Sequence, residues 1–210
     1  RLAGMVNDLL DMGKIQEDEL SLTLRPVSMR LVSEAVVKLS LPLIGERSLG
    51  IINSINPGLP AVLADDDRVR QVLYNLVGNA IKFTGRGTIE LSARVVPRDD
   101  GEVGEAETDA MLEVSVSDTG IGVPEQFRET IFEAYRQVDE GDTRAYAGTG
   151  LGLTIAKRII ELHGGTIRME PGETGGSVFS FTLPLSRETL RDYPEVMFVE
   201  SMDSATHPAG

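Results

Sequence analysis

Apolar positions recur at three- and four-residue intervals in some stretches of the chain and alternate with polar ones in others, so the pattern describes a mixture of helices and strands. Leu2, Met5, Val6, Leu9, Leu10 and Met12 mark an amphipathic helix over residues 1–15 that begins in mid-pattern. Its stripe has to bury against its own domain or against a partner helix, and periodicity does not choose between them. Leu20, Leu22 and Leu24 alternate as in a half-buried strand closed by Pro26. Ser28 has the chemistry of an N-cap, with Val27 as the preceding staple residue, for a helix carrying Leu31, Val32, Ala35, Val36 and Leu39 that Pro42 perturbs or ends.

Residues 50–56 read as a strand, Pro57-Gly58-Leu59-Pro60 as a turn, and Asp65-Asp66-Asp67 as the acidic start of a helix over residues 68–83. Strands are expected at 88–96 and 111–117, a short helix from Pro124 to Phe132, a helix over 150–163 stopped by Gly164-Gly165, and strands at 166–170 and 177–185. The separator between Arg98 and Ala110 carries Asp99, Asp100, Glu102, Glu105, Glu107 and Asp109; it reads as a solvated hairpin loop in preference to a metal or partner site. Past Arg187 the pattern dissolves into an expected linker or tail.

Composition narrows the chemistry. With no cysteine among 210 residues there is no disulfide, no thiolate nucleophile and no Cys-ligated zinc, and His163 and His207 are the only imidazoles. A net charge of −13, from 20 Lys plus Arg against 33 Asp plus Glu, argues against a general nucleic-acid binder and requires any anionic ligand to be held by a local exception. No window approaches the roughly 18 apolar residues of a membrane span. With Arg1 at its start, the chain reads as a cytoplasmic piece of something longer, with no membrane contact of its own.

Three segments carry candidate chemistry. Asn75, Asn79 and Lys82 share one face of the helix over 68–83, where two carboxamide oxygens and an ammonium suit a hydrated Mg²⁺ and a phosphate. Asp118-Thr119-Gly120-Ile121-Gly122 follows a strand; its glycines permit close backbone approach to a ligand, and its carboxylate accepts a hydrogen bond from an amine. Gly148-Thr149-Gly150-Leu151-Gly152-Leu153 precedes a helix whose first N–H groups suit a phosphate. A P-loop is absent, the Rossmann fingerprint fails because Gly148 follows a polar stretch in place of a strand, and the V-A-I-K, H-R-D and D-F-G elements of protein kinases are missing.

In this order the segments resemble the N, G1 and G2 boxes of sensor histidine kinases, with Ile131-Phe132-Glu133-Ala134-Tyr135 similar to the F box and Gly172–Gly176 before Ser177 to the last glycine box. The resemblance covers residues 26–185. It implies an α+β fold, the two-layer Bergerat sandwich of a mixed sheet on helices, shared with gyrase, chaperone and mismatch-repair ATPases, and it implies ATP and Mg²⁺. By the same carry-over Asp118 meets the adenine amine, and Asn75 and Asn79 the Mg²⁺–phosphate region. Lys82 meets a phosphate, Gly120 and Gly122 the base, and Gly148, Thr149, Gly150, Leu151, Gly152 and Leu153 the triphosphate, with Ser177 in the last box. Tyr135, Arg144 and Tyr146 fall in or beside the lid expected between the F and G2 boxes, Arg144 as the candidate γ-phosphate contact. Tyr135 stands where the family usually has Phe, and Ala147 where it often has another Gly.

The resemblance extends to Val6-Asn7-Asp8-Leu9-Leu10-Asp11, similar to the end of the second dimerisation helix. The implied organisation is part of that helix over 1–16, a catalytic domain over 20–186 and a tail over 187–210. Implied partners are a phosphoacceptor helix, a response-regulator receiver domain and a second copy of the whole protein. His163, at a helix C-terminus where a cation is favourable, reads as structural. Two rival readings are an ATPase of the wider superfamily and a non-catalytic nucleotide sensor or dimer scaffold. The ATPases carry a Glu base at the position of Asn75, whose carboxamide cannot deprotonate water.

Overall fold

The computed structural model describes residues 13, 20–98, 110–134, 150–173 and 175–187. Two side chains start its longer helices. Ser28 lies in extended backbone and its hydroxyl accepts from the Leu31 N–H, opening α1 (Met29–Ile44). Asp65 accepts from the Arg68 N–H to open α2 (Asp66–Phe83), and Asp66 and Asp67 place negative charge at the positive end of that helix. The third helix, α3 (Gly152–Leu162), has Leu151 at its N-cap and no side-chain cap.

Among the described residues, seven strands accompany them: β1 (Arg25–Val27), β2 (Leu49–Asn53), β3 (Val62–Ala64), β4 (Gly87–Pro97), β5 (Ala110–Asp118), β6 (Ile167–Pro171) and β7 (Ser177–Pro184). β1 and β3 make a small antiparallel ribbon, and the others a five-stranded sheet in the order β2-β4-β5-β7-β6. β2 and β4 run parallel while the remaining pairs are antiparallel. This is the α+β two-layer sandwich that the sequence resemblance implies.

Alternation along β5 sends Leu112, Val114 and Val116 toward the helices, where with Leu91 of β4 and Phe181 of β7 they meet Leu73 and Leu76 of α2 and Ile155 and Ile159 of α3. Each such buried aliphatic stabilises the fold by about 1.5–3 kcal/mol. The other face of the sheet is polar. Ser92, Ser115 and Ser180 lie side by side across β4, β5 and β7, and Glu113, with its side chain 5% exposed, is held by Arg94 at 2.7 Å and by Arg168 from β6. Together they line a shallow depression of about 400 Å³.

Several local expectations are corrected. The first described strand is Arg25–Val27, not the Leu20–Leu24 alternation, and it contains Pro26, paired with Leu63. A two-stranded ribbon has open edges, where the missing N–H of proline costs no ladder bond. α1 continues through Pro42 to Ile44, and the Arg47 guanidinium binds the carbonyls of Leu43 and Ile44 at its end. The short helix expected from Pro124 is a 3₁₀ turn, Glu125–Phe127, with no side-chain cap, followed by further turns. The helix expected over 1–15 and the loop at 99–109 lie outside the described residues, apart from Gly13, and so does the tail beyond Arg187.

Candidate functional site

α2 touches both the start of α3 and the turn after β5: Asn75 meets Gly152, and Gly120 lies against the Phe83 carbonyl. The period of α2 buries Val72, Leu73, Leu76 and Val77 and leaves Asn75, Asn79 and Lys82 half-buried on a shared stripe. Asn75 Nδ2 donates to the Gly152 carbonyl at 3.2 Å, which joins the N-box-like helix to the G2-like segment. The Lys82 ammonium lies 4.8 Å from the centre of the Phe83 ring, a cation–π arrangement.

Asp118 ends β5 and is only 6% exposed. Its Oδ1 accepts from the Gly120 N–H at 2.8 Å, and the Thr84 hydroxyl lies 3.5 Å from the same oxygen. Burial pushes the Asp118 carboxyl above the usual carboxylate range, while hydrogen bonds from the Gly120 and Ser177 backbone and from Thr84 hold it down. The carboxylate is thus an oriented acceptor in a poorly solvated corner, suited to a planar group that presents an N–H.

Two glycines are required by close approach. A Cβ on Gly120 would lie 2.5 Å from the Phe83 carbonyl oxygen and 2.8 Å from both Asp118 Oδ1 and Thr84 Oγ1. The space that Gly120 leaves is therefore occupied by the protein's own atoms, in addition to whatever it opens for a ligand. A Cβ on Gly176, which also has φ +78°, would fall 1.9 Å from the Asp118 carbonyl oxygen. Gly176 lets β7 start against Asp118, in the register that pairs Asp118 with Ser177.

Of the other predicted site residues, Gly122 has φ +73° and Gly150 φ +70°, and Ser177 is buried beside Asp118. Leu151 is buried in the core, so its side chain is committed to packing, and Leu153 packs partly against the same cluster. Phe132 of the F-box-like segment meets Phe179 edge to face, with ring centres 6.3 Å apart. Tyr135, Arg144, Tyr146, Gly148 and Thr149 lie outside the described residues.

His163 holds the layer from behind. It is 5% exposed, its Nε2 accepts from the Asp65 N–H at 3.0 Å and its Nδ1 donates to the Ile159 carbonyl at 2.7 Å. Burial lowers its pKa, against the hydrogen bond to Ile159 and the Asp65 carboxylate. The imidazole is therefore structural as a neutral acceptor rather than as a cation at a helix end. Sequence reasoning missed Thr84 and Arg47, because their partners are distant in the chain and no spacing rule connects them; it had Gly176 only as part of a glycine box, without its contact to Asp118.

The chain matches the family model described as histidine kinase-, DNA gyrase B- and HSP90-like ATPase over residues 64–187. It is 39% identical over 186 residues to the sensory/regulatory protein RpfC of Xanthomonas campestris pv. campestris, covering 88% of this chain and 25% of that protein. It is 36% identical over 196 residues to the sensor histidine kinase GacS of Pseudomonas protegens, covering 92% of this chain and 21% of that one. The chain thus spans a quarter or less of these relatives. Among solved structures, full-length ShkA in complex with AMPPNP superposes with a TM-score of 0.74 at 33% identity, covering 90% of this chain and 36% of that one. The nucleotide-free catalytic domain of the histidine kinase ThkA gives 0.62 at 30% identity, covering 79% and 97%. Among the described residues, no helix is long and apolar enough to cross a membrane.

Proposed function

Because this chain belongs to the histidine kinase-, DNA gyrase B- and HSP90-like ATPase family, as a domain of the sensor histidine kinase type, we propose that it binds Mg²⁺–ATP and presents the γ-phosphate to a histidine on a dimerisation helix. The observation that carries the reading is the pairing of one buried, oriented carboxylate, Asp118, with an amide-and-ammonium stripe on the helix beside it. Asp118 accepts from the adenine amine, and Lys82 leaves its place over Phe83 to meet a phosphate. The α3 N-terminus, which has no side-chain cap, offers N–H groups to the phosphate chain.

The donor set fits magnesium. Asn75 and Asn79 provide neutral oxygens, to which phosphate oxygens and water add the remainder of the shell that Mg²⁺ prefers. When bound, the ion neutralises phosphate charge. The protein's own part is positioning and electrostatic stabilisation, the main contributions to phosphoryl transfer. Asn75 has no basic lone pair with which to activate water, which favours transfer to an imidazole over hydrolysis. His163 is not that imidazole, since both its ring nitrogens are engaged in a buried site.

Within this reading, residues 1–16 are the end of the second dimerisation helix, 20–186 the catalytic domain and 187–210 a linker. Arg144 and Tyr146 belong to a nucleotide lid. The acceptor helix and a receiver domain are the partners, in a cytoplasmic homodimer. Calorimetric titration of ATP with Mg²⁺ tests the core of the proposal. Wild type binds, Asp118→Ala loses at least tenfold in affinity, and the chain incubated alone with γ-labelled ATP acquires no acid-labile phosphate. Wild type without affinity, or Asp118→Ala with unchanged affinity, would sink the assignment.

A further inference from the structure

Thr84 closes α2, the helix that carries the Asn75–Asn79–Lys82 stripe, and turns its hydroxyl to the corner where Asp118 sits. Its N–H donates to the Ala80 carbonyl at 3.0 Å and its own carbonyl accepts from Arg47 Nη1 at 3.4 Å, so the backbone that places the hydroxyl is tied on both sides. The side chain is buried, with Oγ1 3.5 Å from Asp118 Oδ1. An ionised carboxylate only accepts, so the hydroxyl donates. The bond is long, but it lies away from water, where such a bond weighs more than on a surface. Gly120 shows that the two oxygens converge: a Cβ there would lie 2.8 Å from each.

The donors around Asp118 protect its ionised form. Burial favours the neutral carboxyl, and the Gly120 and Ser177 N–H groups and the Thr84 hydroxyl oppose it. Charged residues at the adjoining ends of α2 and β4 are Lys82, Arg86 and Glu90, Arg47 binds α2 from the loop after α1, and β7 carries none; none of them moves the Asp118 carboxyl. The protonation state decides which purine fits. A carboxylate accepts from a ring amino group and repels a ring carbonyl at the same position, whereas a neutral carboxyl also donates and serves the carbonyl. Two of the three donors are main chain, so Thr84 is the one that holds Asp118 in its accepting form through a side chain.

We propose that Thr84 is the positioning residue that makes the Asp118 corner select an aminopurine over an oxopurine, by donating its hydroxyl to Oδ1. The inference rests on the reading of Asp118 as the base contact and deepens it.

Thr84→Val exchanges the hydroxyl for a methyl and Thr84→Ser keeps it. Both are titrated calorimetrically with ATP and with inosine triphosphate, in Mg²⁺. In Thr84→Val the preference for ATP falls about threefold, and the pH at which ATP binding is half lost on acidification rises by about half a unit, the effect of one modest hydrogen bond. Thr84→Ser keeps the wild-type preference and midpoint. A merely packing role would lower the melting temperature, more in Ser because it lacks the methyl, and would leave both readouts of the folded protein in place. NMR titration of the Asp118 carboxyl carbon in nucleotide-free protein reads the same contact without ligand, and its midpoint rises in Thr84→Val. A Thr84→Val protein with the wild-type preference for ATP, or with an unmoved carboxyl midpoint, overturns the proposal. Failure of the wider reading looks different: wild type then binds neither nucleotide, which removes the selectivity with it, while the carboxyl titration still reports the Thr84 contact.

Discussion

Replacing His163 is the most direct test of how the helical layer is held. The imidazole links the end of α3 to the N-cap of α2 by accepting from the Asp65 N–H, and it is 5% exposed. His163→Phe keeps a buried aromatic ring, somewhat larger than the imidazole, and removes the acceptor, leaving a part-buried N–H without its partner at a cost of about 1–3 kcal/mol. His163→Ala adds a cavity, for a total of about 3–5 kcal/mol. In a domain of this size each kcal/mol moves the melting temperature by about 2–4 °C, so calorimetry should show losses of roughly 2–12 °C for Phe and more for Ala. The pH dependence has a definite sign. His163 binds its proton more weakly in the folded chain than in the unfolded one, where imidazole titrates near 6.5. The unfolded state therefore takes up more protons as the pH falls below that value, and stability present above it is lost on acidification toward the lowered folded pKa. His163→Phe should flatten this part of the stability profile. A Phe variant as stable as wild type, or one with the same pH profile between the two pKa values, would refute the brace.

Arg47→Met removes a guanidinium that binds Leu43 and Ile44 at the end of α1 and Ile81 at the end of α2; denaturant unfolding should show a loss of about 1.5–3 kcal/mol, with Arg47→Lys recovering little because an ammonium cannot fork. Gly176→Ala drives a methyl to 1.9 Å from the Asp118 carbonyl oxygen and should cost at least tenfold in ATP affinity by calorimetry. Gly175→Ala, also strained at φ +105° but with open space around it, should keep that affinity. If Asp118 reads adenine, its raised carboxyl pKa makes ATP affinity fall on acidification at a pH above the usual carboxylate range, and the pH profile of binding checks this.

Local signals placed what local chemistry decides. α2 was legible because an Asp cap, an acidic first turn and an unbroken helical period agree over its whole length. The G1-like turn was legible because its glycines follow a strand. β1 was displaced and β3 unseen because each has three residues and takes its pairing from far along the chain, β1 from β3 nearly forty positions away and β3 also from a bridge to Leu185. The same distance hid the partners of the site. The grip of Ser177 on Asp118, the reach of Asn75 to Gly152 and the double grip of Arg47 all join residues whose neighbourhood is made by the sheet and not by the sequence.

The place of β7 between β5 and β6 has a consequence for synthesis. On a ribosome adding about 5–20 residues per second, β5 emerges well before Ser177 and spends seconds with one hydrogen-bonding edge bare. An apolar strand in that condition is a template for pairing with another chain. The wait ends only when β7 is inserted and sets Ser177 beside Asp118, so closure of the sheet and completion of the Asp118 corner are one event in the life of the nascent chain.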